Sequence, residues 1–164
     1  MKYITFFFSL LIFNVSSYAE NQDNQMLCLA KNIYHEARGE GNEGKIAVSN
    51  VVINRVNAKN FPNDICSVVY QRNQIMFIDK ILKILPIPAF CQFSWTCDLK
   101  LNDSFNDSES WKNSQKIADE ILQGLHNDIT DGATHYFNPD KVRTPLWAKE
   151  LQKTKVIGKH HFYK

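Results

Sequence analysis

The stretch Tyr34-His35-Glu36-Ala37-Arg38-Gly39-Glu40 gathers the residues best suited to chemistry, and Glu36 is the first candidate among them. A carboxylic acid that is partly withdrawn from water keeps its proton to higher pH and can then act as a general acid. Glu40 follows one helical turn later, as a possible second carboxylate or as support for the first. Glu40 is expected to brace the site through Arg38, which lies between them, or to tune Glu36 electrostatically. His35-Glu36 begins like the zinc motif His-Glu-x-x-His, but position 39 is Gly39, so the second ligand of that motif is missing. His126, His135, His160 and His161 are scattered and read as structural histidines. The expectation is therefore acid–base chemistry at Glu36, with no metal and no cofactor.

The element that must position Glu36 is a helix. Met26, Leu29, Ala30, Ile33 and Ala37 recur at helical spacing and form an apolar stripe, with Asp23 or Asn24 expected to cap its start. At about 100° per residue, Glu36 falls roughly 80° from the centre of that stripe, on the border between core and solvent. Gly39 and Gly41 are expected to end the helix. A second helix is expected from about Glu43 to Val56. It is apolar on more than one face and so central and buried, with Asn50, Asn54 and Arg55 as polar exceptions. Those three can brace the Glu36 region or bond to loop backbone.

Farther along, Phe61-Pro62-Asn63-Asp64 reads as a turn before a short apolar piece, Ile65 to Tyr70. Residues 75–85 are amphipathic and closed by Pro86 and Pro88. Cys91-Gln92-Phe93-Ser94-Trp95-Thr96-Cys97 sets aromatic and hydroxyl side chains between two cysteines, a loop that can offer Ser94 and Trp95 to a ligand or bury its rings in the core. A third helix, capped by Asp107 or Ser108, should bury Trp111, Ala118, Ile121, Leu122 and Leu125, with Gly124 near its end. Ala133 to Phe137, which includes His135 and Tyr136, suits a short strand, and Lys155 to Tyr163 a last strand or extended segment. The architecture these elements support is a single, mainly α domain with a small irregular β element.

Composition narrows the function classes. The 164 residues suffice for one domain with a core. Their 44% hydrophobic and 22% charged content is that of a soluble globular protein. A formal charge of +2 without any Lys/Arg run argues against nucleic acid. Lys2, the apolar run from Tyr3 to Val15 and the Ser17-Tyr18-Ala19 ending read as a secretory signal peptide cleaved after Ala19. The run is short for a membrane span, which needs roughly 20 residues. Residues 20–164 would then form the exported domain, periplasmic or secreted, without a stable membrane span. In an oxidising compartment Cys28, Cys66, Cys91 and Cys97 are expected to form disulfides. Three pairings are open; Cys28–Cys97 with Cys66–Cys91 is preferred.

Taken together, the motifs resemble a known family. Ile33 to Glu40, Glu43 to Val48, Asn54-Arg55-Val56, Phe61-Pro62 and Val68 to Gln71 are similar to the SleB-type cell-wall hydrolases, the group containing the spore cortex-lytic enzyme. The likeness continues in Gln92 to Trp95, Gly132 to Tyr136 and Ile157 to Tyr163, in the family's order, while residues 72–90 look expanded. The resemblance implies a lysozyme-like fold acting on peptidoglycan between N-acetylmuramic acid and N-acetylglucosamine, as a lytic transglycosylase giving 1,6-anhydro products. It implies Glu36 as catalytic residue. Glu40 and Arg38 are expected as supports, and Ser94, Trp95, His135 and Tyr136 as substrate contacts, in a monomer. The alternatives are a hydrolase that uses a second carboxylate, with Glu40 the first candidate and Glu43 and Asp98 behind it, a zinc peptidase or amidase, and a non-catalytic wall-binding protein.

Overall fold

The computed structural model describes residues 21–73, 90–98, 105 and 108–164. Helix α1 covers residues 21–37. It is already under way at residue 21, so neither Asp23 nor Asn24 caps it as expected; both are helical and exposed. Its apolar stripe behaves as the spacing requires: Leu29, Ala30, Ile33 and Ala37 are buried, and Met26 packs at the edge.

Helix α2, Asn42–Asn57, runs through the middle of the molecule. One side places Val52 in a core shared with Leu29, Ala30 and Ile33 of α1 and with helices α3, Ile65–Val69, and α4, Ser108–Leu122. The other side places Ala47 and Val51 against Ala133, Ile157 and Phe162 of the β element. That two-sided burial is the physical reason for its all-round apolar sequence. Truncating a residue such as Leu29 to Ala would cost about 2–5 kcal/mol.

Polar caps finish the helices. Asp64 accepts from the Ser67 amide at 2.8 Å, while Gln25 of α1 accepts from the Ile65 and Cys66 amides at 2.8 and 3.2 Å. The first turn of α3 is thus capped by its own loop and by a neighbouring helix. Helix α4 ends at Gly124, whose φ of 71° permits the paired bonds Gly124 N to Ile121 O and Leu125 N to Glu120 O, a Schellman closure. Leu125 lies beyond that end and is exposed, which corrects its expected place on the buried face.

Strands β1, Arg72–Asn73, and β2, Phe90–Cys91, pair antiparallel, with Arg72 opposite Cys91. The expected amphipathic stretch 75–85 and the expansion at 72–90 lie outside the described residues, apart from these strands. A second sheet has the order β3–β5–β4 and is antiparallel throughout: β3 is His135–Phe137, β4 is Lys153–Ile157 and β5 is His160–Tyr163. The tail is therefore a hairpin rather than one strand. Gly158, with φ 56°, opens its two-residue turn, as a type II′ turn requires.

The disulfides differ from the preferred pairing. Cys28 joins Cys66, tying α1 to α3, and Cys91 joins Cys97 within one loop. The packing of α3 beside α1 brings the first pair's Cα atoms to 5.3 Å. The short 3₁₀ helix Ser94–Cys97 turns the chain back far enough for the second pair, at 5.9 Å.

Candidate active site

Four pieces of backbone meet around one open cleft of about 450 Å³: the end of α1, the Cys91–Cys97 loop, strand β3 with the segment after it, and the start of β5. Glu36 lies in its wall, carried there by the edge position on α1. The hydroxyl of Tyr136 donates to Glu36 Oε2 at 3.2 Å. Burial raises the Glu36 pKa, and it outweighs the Tyr136 hydrogen bond and the positive charges of Lys141 and Arg55, which act the other way. Among the described residues that line the cleft, Glu36 is the sole carboxylate. Tyr136 itself is pushed well above the usual phenol range, by burial first and by its carboxylate neighbour second, so it stays a hydrogen-bond donor at neutral pH.

Arg55 reaches this site from α2. Its Nε donates to the Thr134 carbonyl at 2.6 Å, and its guanidinium lies 5.3 Å from the ring centres of Phe61 and Phe93. With its amide oxygen turned toward the guanidinium, Gln92 accepts from both terminal nitrogens at 2.9 Å. Burial lowers the Arg55 pKa to about 10, which leaves it charged at neutral pH. It thereby clamps the root of β3 to the Gln92 loop and leaves a fixed positive charge behind Glu36 and Tyr136. Asn50 and Asn54 instead hold loop backbone: Asn50 accepts from the Ile129 amide at 3.1 Å, and Asn54 donates to the Ala133 carbonyl at 3.0 Å.

The other anticipated residues divide into two groups. Ser94, Trp95, His135 and Tyr136 all line the cleft. Ser94 is exposed, while Trp95 is half-buried, stacked on His35 at 4.4 Å and donating to Asn32 Oδ1 at 3.3 Å. Phe93 has joined the core. Burial, then the charge of Arg55, lowers the His135 pKa, so its ring is neutral at pH 7.

Arg38 and Glu40, by contrast, do not line the cleft. Arg38 is exposed, with its guanidinium 5.2 Å from the ring centre of Tyr34. Glu40 turns toward the β4–β5 hairpin, where its carboxylate accepts from the Lys159 amide at 3.4 Å and sits so close over Gly158 that a methyl group there would collide with it. Gly44 gives its aliphatic part room, since a Cβ at 44 would stand 2.8 Å from Glu40 Cβ.

Several lining residues had no place in the sequence-based site. His160 projects from β5, its ring edge-on to Tyr136 at 5.2 Å. Asn138, Lys141, Val142 and Trp147 come from the segment after β3. The turn signal of Asn138-Pro139 was the available hint; nothing in the spacing marked Lys141 or Trp147. Among the described residues, no three of His, Cys, Asp and Glu stand together as a metal site, and no helix is long and apolar enough to cross a membrane.

Comparison with known proteins converges on one group. A family model described as Cell Wall Hydrolase matches residues 39–163, beginning just past Glu36. The spore cortex-lytic enzyme of Bacillus subtilis is 30% identical over 142 residues, covering 85% of this chain and 37% of that protein. That of Halalkalibacterium halodurans is 30% identical over 140 residues, covering 85% and 34%. The chain thus spans little more than a third of those relatives' length. Among solved structures, the catalytic domain of the germination-specific lytic transglycosylase SleB from Bacillus anthracis superposes with a TM-score of 0.57 at 27% identity, covering 86% of this chain and 94% of that domain. The Bacillus cereus SleB catalytic domain gives 0.56 at 29% identity, covering 87% and 91%.

Proposed function

The chain belongs to the cell wall hydrolase family, and from that premise we propose that it cleaves peptidoglycan glycan strands between N-acetylmuramic acid and N-acetylglucosamine as a lytic transglycosylase. One observation carries the reading: a desolvated carboxylic acid, Glu36, faces an open cleft with a hydroxyl donor at its back and no second carboxylate among the described lining residues. Glycosidic cleavage needs a proton on the leaving oxygen as the anomeric carbon gains oxocarbenium character. Glu36 supplies it. Its raised pKa, set by burial, keeps the proton on the carboxyl group to higher pH than an exposed glutamate would.

Once the glycosidic C–O bond has broken, Glu36 is a carboxylate. It removes the proton of the muramic acid 6-hydroxyl, whose oxygen closes onto the anomeric carbon as the 1,6-anhydro ring. The proton removed replaces the one donated, so a single residue serves both steps and no enzyme nucleophile is needed. Burial favours the acid form before cleavage, whereas Tyr136, Lys141 and Arg55 favour the carboxylate afterwards. Trp95 offers an aromatic wall and Ser94 a hydroxyl to sugar rings, with His135 as a neutral polar contact. The family's relation to cell wall and the expected signal peptide support action outside the cytoplasmic membrane, on peptidoglycan as macromolecular partner.

The test is digestion of purified peptidoglycan. Release of 1,6-anhydromuropeptides by the wild-type protein supports the reading. Ordinary reducing ends would mean hydrolysis, and intact glycan strands would mean that this chain is not a glycan-cleaving enzyme.

A further inference from the structure

The segment after β3 brings a positive charge to the edge of the cleft. Asn138 ends the strand with an Asx turn: its side-chain oxygen accepts from the Asp140 amide at 2.9 Å, and its carbonyl accepts from the Lys141 and Val142 amides at 3.1 Å each. Asn138 is buried, so this turn is anchored in the fold, and it presents Lys141 two positions past Pro139 at the cleft edge. Lys141 is exposed and has no ion-pair partner among the described residues. Its charge reaches both Glu36 and His160. Arg55 is already engaged by Thr134 and Gln92. Among the described lining residues, Lys141 is thus the lysine or arginine left to meet a substrate.

We propose that Lys141 is a substrate-positioning residue that binds a free carboxylate of the peptide stems borne by the glycan. The claim rests on the reading of the substrate as peptidoglycan and adds the part of it that is recognised. A glycan backbone whose lactyl groups are in amide linkage is uncharged; the negative charges of the polymer sit on its stem peptides. A strand bearing acidic stems would be drawn to this edge of the cleft, and a strand with neutral stems would lose that contact. The ammonium group is exposed, so the contact is of the modest, salt-sensitive kind.

The experiment uses native peptidoglycan and the same material with its carboxylates amidated, for wild type, Lys141→Gln and Lys141→Arg. On native substrate Lys141→Gln should lose about three- to fivefold in kcat/KM, chiefly through KM, and Lys141→Arg should stay near wild type. Amidation should cost the wild type a similar factor and Lys141→Gln almost nothing. Equal losses for Lys141→Gln on both substrates, or none on either, would overturn the proposal. Sedimentation binding of Glu36→Gln to the two polymers, with and without Lys141→Gln, asks the same question without turnover. It separates failure of carboxylate recognition from failure of the cleavage reading. Binding that ignores amidation overturns the assignment of Lys141 even where cleavage stands.

Discussion

Glu36 and Glu40 stand one helical turn apart in sequence and are put to opposite uses. Glu36 lies within α1, where the last buried turn of the helix holds its carboxyl group against Tyr136 and away from water. Glu40 lies past the helix end, where the chain has turned, and its carboxylate fastens the β4–β5 hairpin through Lys159 and over Gly158. The contrast shows that spacing in the chain does not make a catalytic pair. What separates the two is the end of the helix: before it, position on the cylinder fixes the side chain at the cleft, and after it, the backbone carries the next carboxylate to another surface.

Glu36→Gln should separate the two regions most sharply. Turnover should fall by about 10²–10⁴-fold, the usual contribution of a positioned acid–base group. Stability should not fall. Because the native pKa of Glu36 is raised, ionising it opposes folding: the variant and wild type should match below the unfolded carboxylate pKa, near 4.5, and the variant should gain as pH rises through the native value. Thermal melts from pH 4 to 8 would show the gap opening upward; a gap of opposite sign would mean that the carboxylate is stabilised where it sits.

Tyr136→Phe sharpens the comparison from the other partner. Removing the hydroxyl takes away a bond that holds the Glu36 pKa down. The alkaline limb of the pH–rate profile, where Glu36 loses its proton, should move to higher pH, and kcat should drop about tenfold. An unmoved limb would place the limiting ionisation elsewhere.

Smaller effects are expected on the Glu40 side. Gly158→Ala adds both a left-handed backbone strain and a collision with the Glu40 carboxylate, so urea unfolding should show a loss of about 1–3 kcal/mol. Adding Glu40→Ala should return the collision's share and not the strain. Glu40→Gln alone should cost less than about 1 kcal/mol and leave kcat within a few-fold. A loss as deep as that of Glu36→Gln would restore Glu40 as a catalytic carboxylate.

The parts of this arrangement visible in the sequence are those that obey a period. The stripe from Met26 to Ala37 fixed both the buried face of α1 and the edge position of Glu36, and the uninterrupted apolarity of α2 announced burial between two layers. Ser94, Trp95, His135 and Tyr136 were recognisable by chemical type and by likeness to a family, and they do converge on the cleft. Features set by three-dimensional return of the chain were not visible. The pairing of Cys28 with Cys66 depends on where α3 packs, that of Cys91 with Cys97 on a 3₁₀ turn, and neither leaves a trace in spacing. Lys141 and Trp147 belong to a non-repetitive segment, positioned by the Asx turn and by the packing of Trp147 on Phe137 and Tyr163. The hairpin could have been suspected from Gly158-Lys159 between two β-prone runs.

Mass spectrometry of a peptidoglycan digest tests the central claim most directly. The wild-type protein should release muropeptides ending in 1,6-anhydromuramic acid, and Glu36→Gln, folded and at equal concentration, should release them at least about a hundredfold more slowly. Equal yields of the same products from both proteins would contradict the assignment of the proton to Glu36.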